Sequence, residues 1–94
     1  MKEEVKRLPI EFIGKGEVKG FHFTQLIKGE KACIYEVLDE TNKYYEVFRI
    51  RVFLMPGTKE KYESYPKANS FGLWAWTFRS KERAMLRFNE IENT

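Results

Sequence analysis

Chemistry-bearing residues are scarce in this chain, which has one cysteine, Cys33, and one histidine, His22. A single thiol excludes an intrachain disulfide, which suits a reducing compartment. One His and one Cys fall short of the three or four ligands that zinc takes, and no acidic residue stands at ligand spacing. No metal is expected. A His/Cys nucleophilic pair would need hydrogen-bond contact. The strand register read below separates the two by four residues along one ladder, on the order of 13 Å. Glycine is sparse too, and Gly14-Lys15-Gly16 with Gly20 only superficially suggests a phosphate loop. Such a loop opens onto a helix N-terminus, and here a strand follows.

Long apolar runs are also missing. No segment approaches the roughly 20 residues of a membrane span. The first nine residues, Met1-Lys-Glu-Glu-Val-Lys-Arg-Leu-Pro9, lack the apolar stretch of a secretory signal. A cytoplasmic location without a membrane partner is the expectation. Carboxylates are many but scattered, and Glu36, between Tyr35 and Val37, is the one to examine for a raised pKa. Strand alternation alone accounts for its neighbours and turns it outward. No catalytic residue, no cofactor and no enzyme activity are expected.

What is present is a foldable core. The 94 residues are 43% hydrophobic and 16% aromatic, which argues against disorder. A chain of this mass buries roughly 65% of its unfolded surface, enough to fold as one unit. Residues 1–9 read as a flexible N-terminal arm and 10–94 as a single compact α+β domain. The net charge of +3 is unevenly spread, since residues 51–94 carry eight basic and five acidic groups and the first half is balanced. That permits a nucleic-acid partner without demanding one.

The clearest local signal lies at Gly72-Leu-Trp-Ala-Trp-Thr-Phe-Arg-Ser-Lys-Glu-Arg-Ala-Met85, an aromatic strand that ends at a polar cap and enters a helix. Ser80 is the N-cap and Glu82 sits in the first turn, where the helix dipole favours an acid. Ala84, Met85, Phe88 and Ile91 recur at helical spacing and form the apolar face. Further strands read as Phe21–Ile27, Lys31–Asp39, Tyr44–Leu54 and Phe71–Phe78, with Pro9–Ile13 as a brief edge strand. The stretch from Pro56 to Pro66 reads as a charged, mobile loop. The expected fold is a curved antiparallel sheet of four strands, or five with the edge strand, packed on one C-terminal helix.

Turn residues suggest a register. With Gly29-Glu30 at the first tip, Leu26 pairs Cys33 and His22 pairs Val37. With Thr41-Asn42 at the second, Tyr35 pairs Phe48 and Val37 pairs Glu46. One face then carries Leu26, Cys33, Tyr35, Val37, Phe48, Ile50 and Val52, and the helix should cover it. The other mixes Phe21, Phe23, Ile34, Leu38, Tyr45 and Val47 with Gln25, Glu36, Arg49 and Arg51. Left open, that mixed face would be a stacking platform for single-stranded bases. If the sheet curls, its rings are core instead. Around the helix start Arg79, Lys81, Arg83 and Arg87 form a basic patch, and Leu86 is an exposed leucine suited to a partner contact. Trp74 and Trp76 share strand parity and are assigned to one face.

The segments Tyr44-Tyr-Glu-Val-Phe-Arg-Ile50, Phe71-Gly-Leu-Trp-Ala-Trp-Thr-Phe78 and Ala84…Phe88 resemble a group of small uncharacterised proteins of Bacteroides-type gut bacteria and their mobile elements. The resemblance runs from about Ile10 to Ile91 and implies a bacterial cytoplasmic accessory protein, with no catalytic residue to carry over. Trp76-Thr-Phe-Arg-Ser-Lys-Glu-Arg-Ala84 is similar to the strand–helix junction of plant AP2-type DNA-binding domains. Arg49 and Arg51 are the nearest counterparts of the strand arginines that read DNA there. The early strands of this chain carry more apolar residues and fewer arginines than those readers. Two function classes lead: a protein-interaction module with an unknown partner or with itself, and a nucleic-acid-binding module using Phe23, Tyr45, Arg49 and Arg51 with the basic helix start.

Overall fold

A computed structural model describes residues 5–94. Eight strands and one helix follow in chain order: β1 (Val5–Lys6), β2 (Glu11–Ile13), β3 (His22–Lys28), β4 (Ala32–Leu38), β5 (Lys43–Arg49), β6 (Val52–Leu54), β7 (Lys61–Glu63), β8 (Ala75–Phe78) and α1 (Lys81–Glu92). Strands β2, β3, β4, β5 and β8 form a five-stranded antiparallel sheet in that order, and α1 packs on one face of it. A second sheet has the order β1-β7-β6, with β1 parallel and β6 antiparallel to β7. The α+β class and the C-terminal helix are as expected; the second sheet is new. No helix among the described residues is long and apolar enough to cross a membrane.

Both hairpin tips fall one residue away from their expected positions. Gly29 N–H bonds the Ala32 carbonyl at 2.9 Å, so the first tip is Glu30-Lys31. The Glu92 carboxylate, at the end of α1, accepts from the backbone N–H groups of Glu30, Lys31 and Ala32 at 3.1, 2.6 and 2.6 Å. Burial opposes ionisation of Glu92, but these three donors hold its carboxyl below the usual range. At the second tip Asp39 Oδ1 accepts from Thr41 and Asn42 N–H, an Asx turn that sets Glu40-Thr41 at the apex. A bulge then shifts β3, because Gln25 pairs Tyr35 but Ile27 pairs Ile34. Leu26 is the extra residue. Past the bulge the parity of β3 reverses, so Phe23 faces with Val37 rather than with Ile34.

The helix covers the face opposite to the expected one. Beneath it lie Ala32, Ile34, Tyr45 and Val47, packed on Ala84, Phe88 and Ile91, with Trp76 and Phe78 alongside. Two of these, Ala32 and Ala84, are small and fully buried, which lets a helix approach closely. The other face holds Phe23, Tyr35 and Phe48, whose rings leave no such flat seat. Irregular chain covers them instead: Leu8, Tyr65, Phe71 and Trp74 close over this face. The expected single strand Phe71–Phe78 is broken at Gly72, whose φ of +92° favours glycine, and extended pairing resumes only at Ala75. That break puts Trp74 on the loop-covered face and Trp76 under the helix, so the two tryptophans do not share a face.

Three segments fold more tightly than their composition suggested. Tyr44–Leu54 is not one strand, since β5 ends at Arg49 and β6 joins the second sheet. The charged stretch 56–66 contains β7, and Tyr65 sits amid the rings of Phe12, Phe23, Tyr35 and Phe48 at centroid distances of 5.0–5.4 Å. Residues 5–9, expected as part of a flexible arm, are tied down; residues 1–4 of that arm lie outside the described residues. Leu8 is buried, and the Tyr35 hydroxyl donates to the Pro9 carbonyl. Glu63 joins the parts by accepting from Leu8 N–H at 3.0 Å, Arg7 Nη1 at 3.1 Å and Lys28 Nζ at 2.5 Å.

Candidate functional site

The residues expected to form one binding surface are scattered by the fold. Phe23 and Tyr45 are only 4% and 9% exposed and lie on opposite faces of the main sheet. They are core, and the open aromatic platform does not form. Arg49 is exposed on the helix side, opposite Ala32. Arg51 is exposed in the other layer, with its guanidinium 5.4 Å from the Phe53 ring and 5.1 Å from the Trp74 ring. Arg79, Lys81 and Arg83 stay exposed at the helix start. Arg87 is engaged, lying 4.6 Å over Trp76 and pairing Glu90 at 3.2 Å. Leu86 is exposed, as read from the sequence.

The single thiol and imidazole are also kept apart. Cys33 is fully buried on the loop-covered face, where burial pushes its thiol up to about 12. His22 is exposed near the far end of β3, paired with Leu38. The reversed parity of β3 puts them on opposite faces. Glu36, singled out for its apolar neighbours, is half-buried with Lys43 Nζ 3.9 Å away.

Two features carry more weight, and both lie in the loop-covered layer. The first is the edge of β6. This strand is outermost in its sheet, and Val52, Phe53 and Leu54 are 48%, 36% and 59% exposed. Its ladder to β7 uses alternate residues: Ser64 N–H bonds Arg51 O at 3.1 Å and Met55 N–H bonds Glu60 O at 2.8 Å. In antiparallel alternation the N–H and C=O groups of Val52 and Leu54 therefore point away from β7, toward the open edge.

The second is a cavity of about 900 Å³ between the main sheet and its loop cover. Phe12 and Phe23 stack in its wall with centroids 4.5 Å apart and planes 5° from parallel. Tyr65 meets both rings edge-on, and Val18, Pro66 and Phe71 complete the apolar lining. Gly14 belongs to this wall because space requires it: a Cβ there would lie 2.3 Å from the Val18 carbonyl oxygen. Two polar side chains from paired strand positions, Glu46 and Thr77, also line the cavity, and Lys15, Glu17 and Lys67 stand exposed at its mouth.

Glu46 is the unusual group. It is 9% exposed, and its Oε1 accepts from the Tyr65 hydroxyl. Burial raises its carboxyl above the usual range, and the Tyr65 hydrogen bond only partly offsets this. Burial also pushes the Tyr65 hydroxyl far up, with the Glu46 charge adding to the effect. The sequence held a usable signal for Glu46. It sits between Tyr45 and Val47, two residues from Tyr44 and Phe48, in a strand dense in aromatic residues. Comparison with known protein families, curated proteins and solved structures gives no match to this chain.

Proposed function

We propose that this chain is a non-catalytic protein-interaction domain, a bacterial accessory protein in keeping with the resemblance noted above, and that its contact element is the open edge of β6. The observation that carries the proposal is the run Val52-Phe53-Leu54, exposed on a strand that is outermost among the described residues, with the N–H and C=O groups of Val52 and Leu54 turned to the open edge. Soluble domains usually blunt such an edge with charge, proline or a covering segment. An apolar edge of this kind takes up an added strand, the backbone supplying affinity and alternate side chains supplying specificity. The nucleic-acid alternative is less well supported, because two of its stacking rings, Phe23 and Tyr45, are buried.

The added strand is β6 of a second copy. Antiparallel pairing centred on Phe53 sets Val52 against Leu54 of the other copy, where each residue exchanges its outward N–H and C=O. The two Phe53 rings meet at the narrow, non-hydrogen-bonded position, where side chains come closest. Arg51 falls opposite Met55, so no like charges meet across the ladder. Sedimentation velocity over a wide concentration range tests this. Wild type should pass from monomer to dimer as concentration rises. Leu54→Pro deletes an outward N–H at an edge position that tolerates proline, and it should stay monomeric with an unchanged midpoint in dilute solution. A wild-type protein that is monomeric at every concentration overturns the pairing.

A further inference from the structure

The cavity beneath the loop cover is independent of β6. Its volume of about 900 Å³ lies within the range that holds small organic ligands, and the rings of Phe12, Phe23, Tyr65 and Phe71 stand in its largely apolar wall. Its chemistry is set by one group. Glu46 is more than nine-tenths buried, yet its only hydrogen bond among the described residues runs from Tyr65 to Oε1, leaving Oε2 for a ligand. An ionised carboxylate is purely an acceptor, so its complement is a donor, and best a charged one. The rings around it favour a cation as well, since their faces attract positive charge. Lys15 and Lys67 would repel a cation, but they are exposed, where salt screens their charge, and Glu17 lines the same cavity with the opposite sign.

We propose that this cavity binds a small organic cation, a primary ammonium group on an aromatic or aliphatic body. The ammonium donates to Glu46, and the body lies against Phe12, Phe23 and Phe71. Thr77, cross-strand from Glu46, supplies a hydroxyl that can accept a second ammonium proton.

Three probes of one shape separate the alternatives: phenethylamine, 2-phenylethanol and phenylacetate, titrated into the full chain by calorimetry and followed by amide shifts of Glu46 and Thr77. Phenethylamine should bind at least about tenfold more tightly than either of the others. Glu46→Gln keeps the shape of the side chain, and it should remove that preference while leaving 2-phenylethanol binding unchanged. Should Glu46→Gln fail to fold, Ala68→Trp serves instead. Ala68 is exposed at the lining, so a bulky ring there should block the amine without touching the core. Equal or tighter binding of phenylacetate overturns the proposal, and so does full amine affinity in the folded Glu46→Gln or Ala68→Trp protein. Absence of amine binding up to about 10 mM also overturns it.

Discussion

The two faces of the five-stranded sheet solve the same problem in opposite ways. Under the helix, Ala32, Ile34 and Val47 meet Ala84, Phe88 and Ile91, and among the described residues the contact carries no buried carboxylate. A regular element satisfies its own backbone, so this side can be closed by apolar side chains alone. On the other face, irregular chain and a small second sheet cover large rings, and the two carboxylates buried among the described residues, Glu46 and Glu63, belong to this layer. Covering segments without a helical ladder need side-chain partners for their backbone groups. Glu63 meets that need for Leu8. Glu46 has only Tyr65 and opens onto a cavity. The regular packing lies on the helix side, and the two candidate binding features lie on the loop side.

The largest expected effect breaks the comparison on its helix side. Ile34 is fully buried beneath α1, and Ile34→Ala should cost about 4 kcal/mol, read from urea unfolding. The cavity and its ligand should be affected only through global unfolding. A loss well under about 1 kcal/mol would mean that the helix does not seal that face.

A somewhat smaller effect is expected on the loop side. Burial opposes ionisation of Glu63, but Lys28, Leu8 N–H and Arg7 hold its carboxyl below the usual range. Glu63→Ala leaves the buried Leu8 N–H unpartnered and frees two partly exposed cations, and it should cost about 2 kcal/mol at neutral pH. A carboxyl with a depressed folded pKa stabilises the protein above its unfolded value, and that stabilisation is lost as pH falls through the folded value. The gap in thermal midpoint between wild type and variant should therefore shrink in acid. A gap independent of pH would show that Glu63 acts by packing alone.

How far the sequence predicted these features depended on whether a residue's partners were local. Ser80 was recognisable as the cap and does accept Arg83 N–H at 3.4 Å. The apolar face of α1, the strands β3 to β5 and the burial of Cys33 followed from periodicity. The bulge at Leu26 carries no signature in the chain, yet it reverses the face of Phe23 and undoes the platform reading. The hairpin tip at Glu30-Lys31 depends on Glu92, a residue 62 and 61 positions away that accepts from its N–H groups. Tyr65 and Glu63 were hidden among charged and turn-forming neighbours, and only long-range contacts with β3, β4 and the N-terminal segment make them core. Glu46 was legible and passed over, because Glu36 has equally apolar neighbours and the faces had been exchanged.

The most direct test of the contrast is a carbon-13 NMR titration of the glutamate side-chain carboxyls. Ordinary glutamate titrates near about 4.3. Glu46 should titrate above that value, because burial disfavours its charge, and Glu63 below it, because cations and an N–H favour its own. Glu46 at or below the ordinary value, or Glu63 above it, would contradict the claim that the loop-covered face holds one carboxylate fully partnered and another left for a ligand.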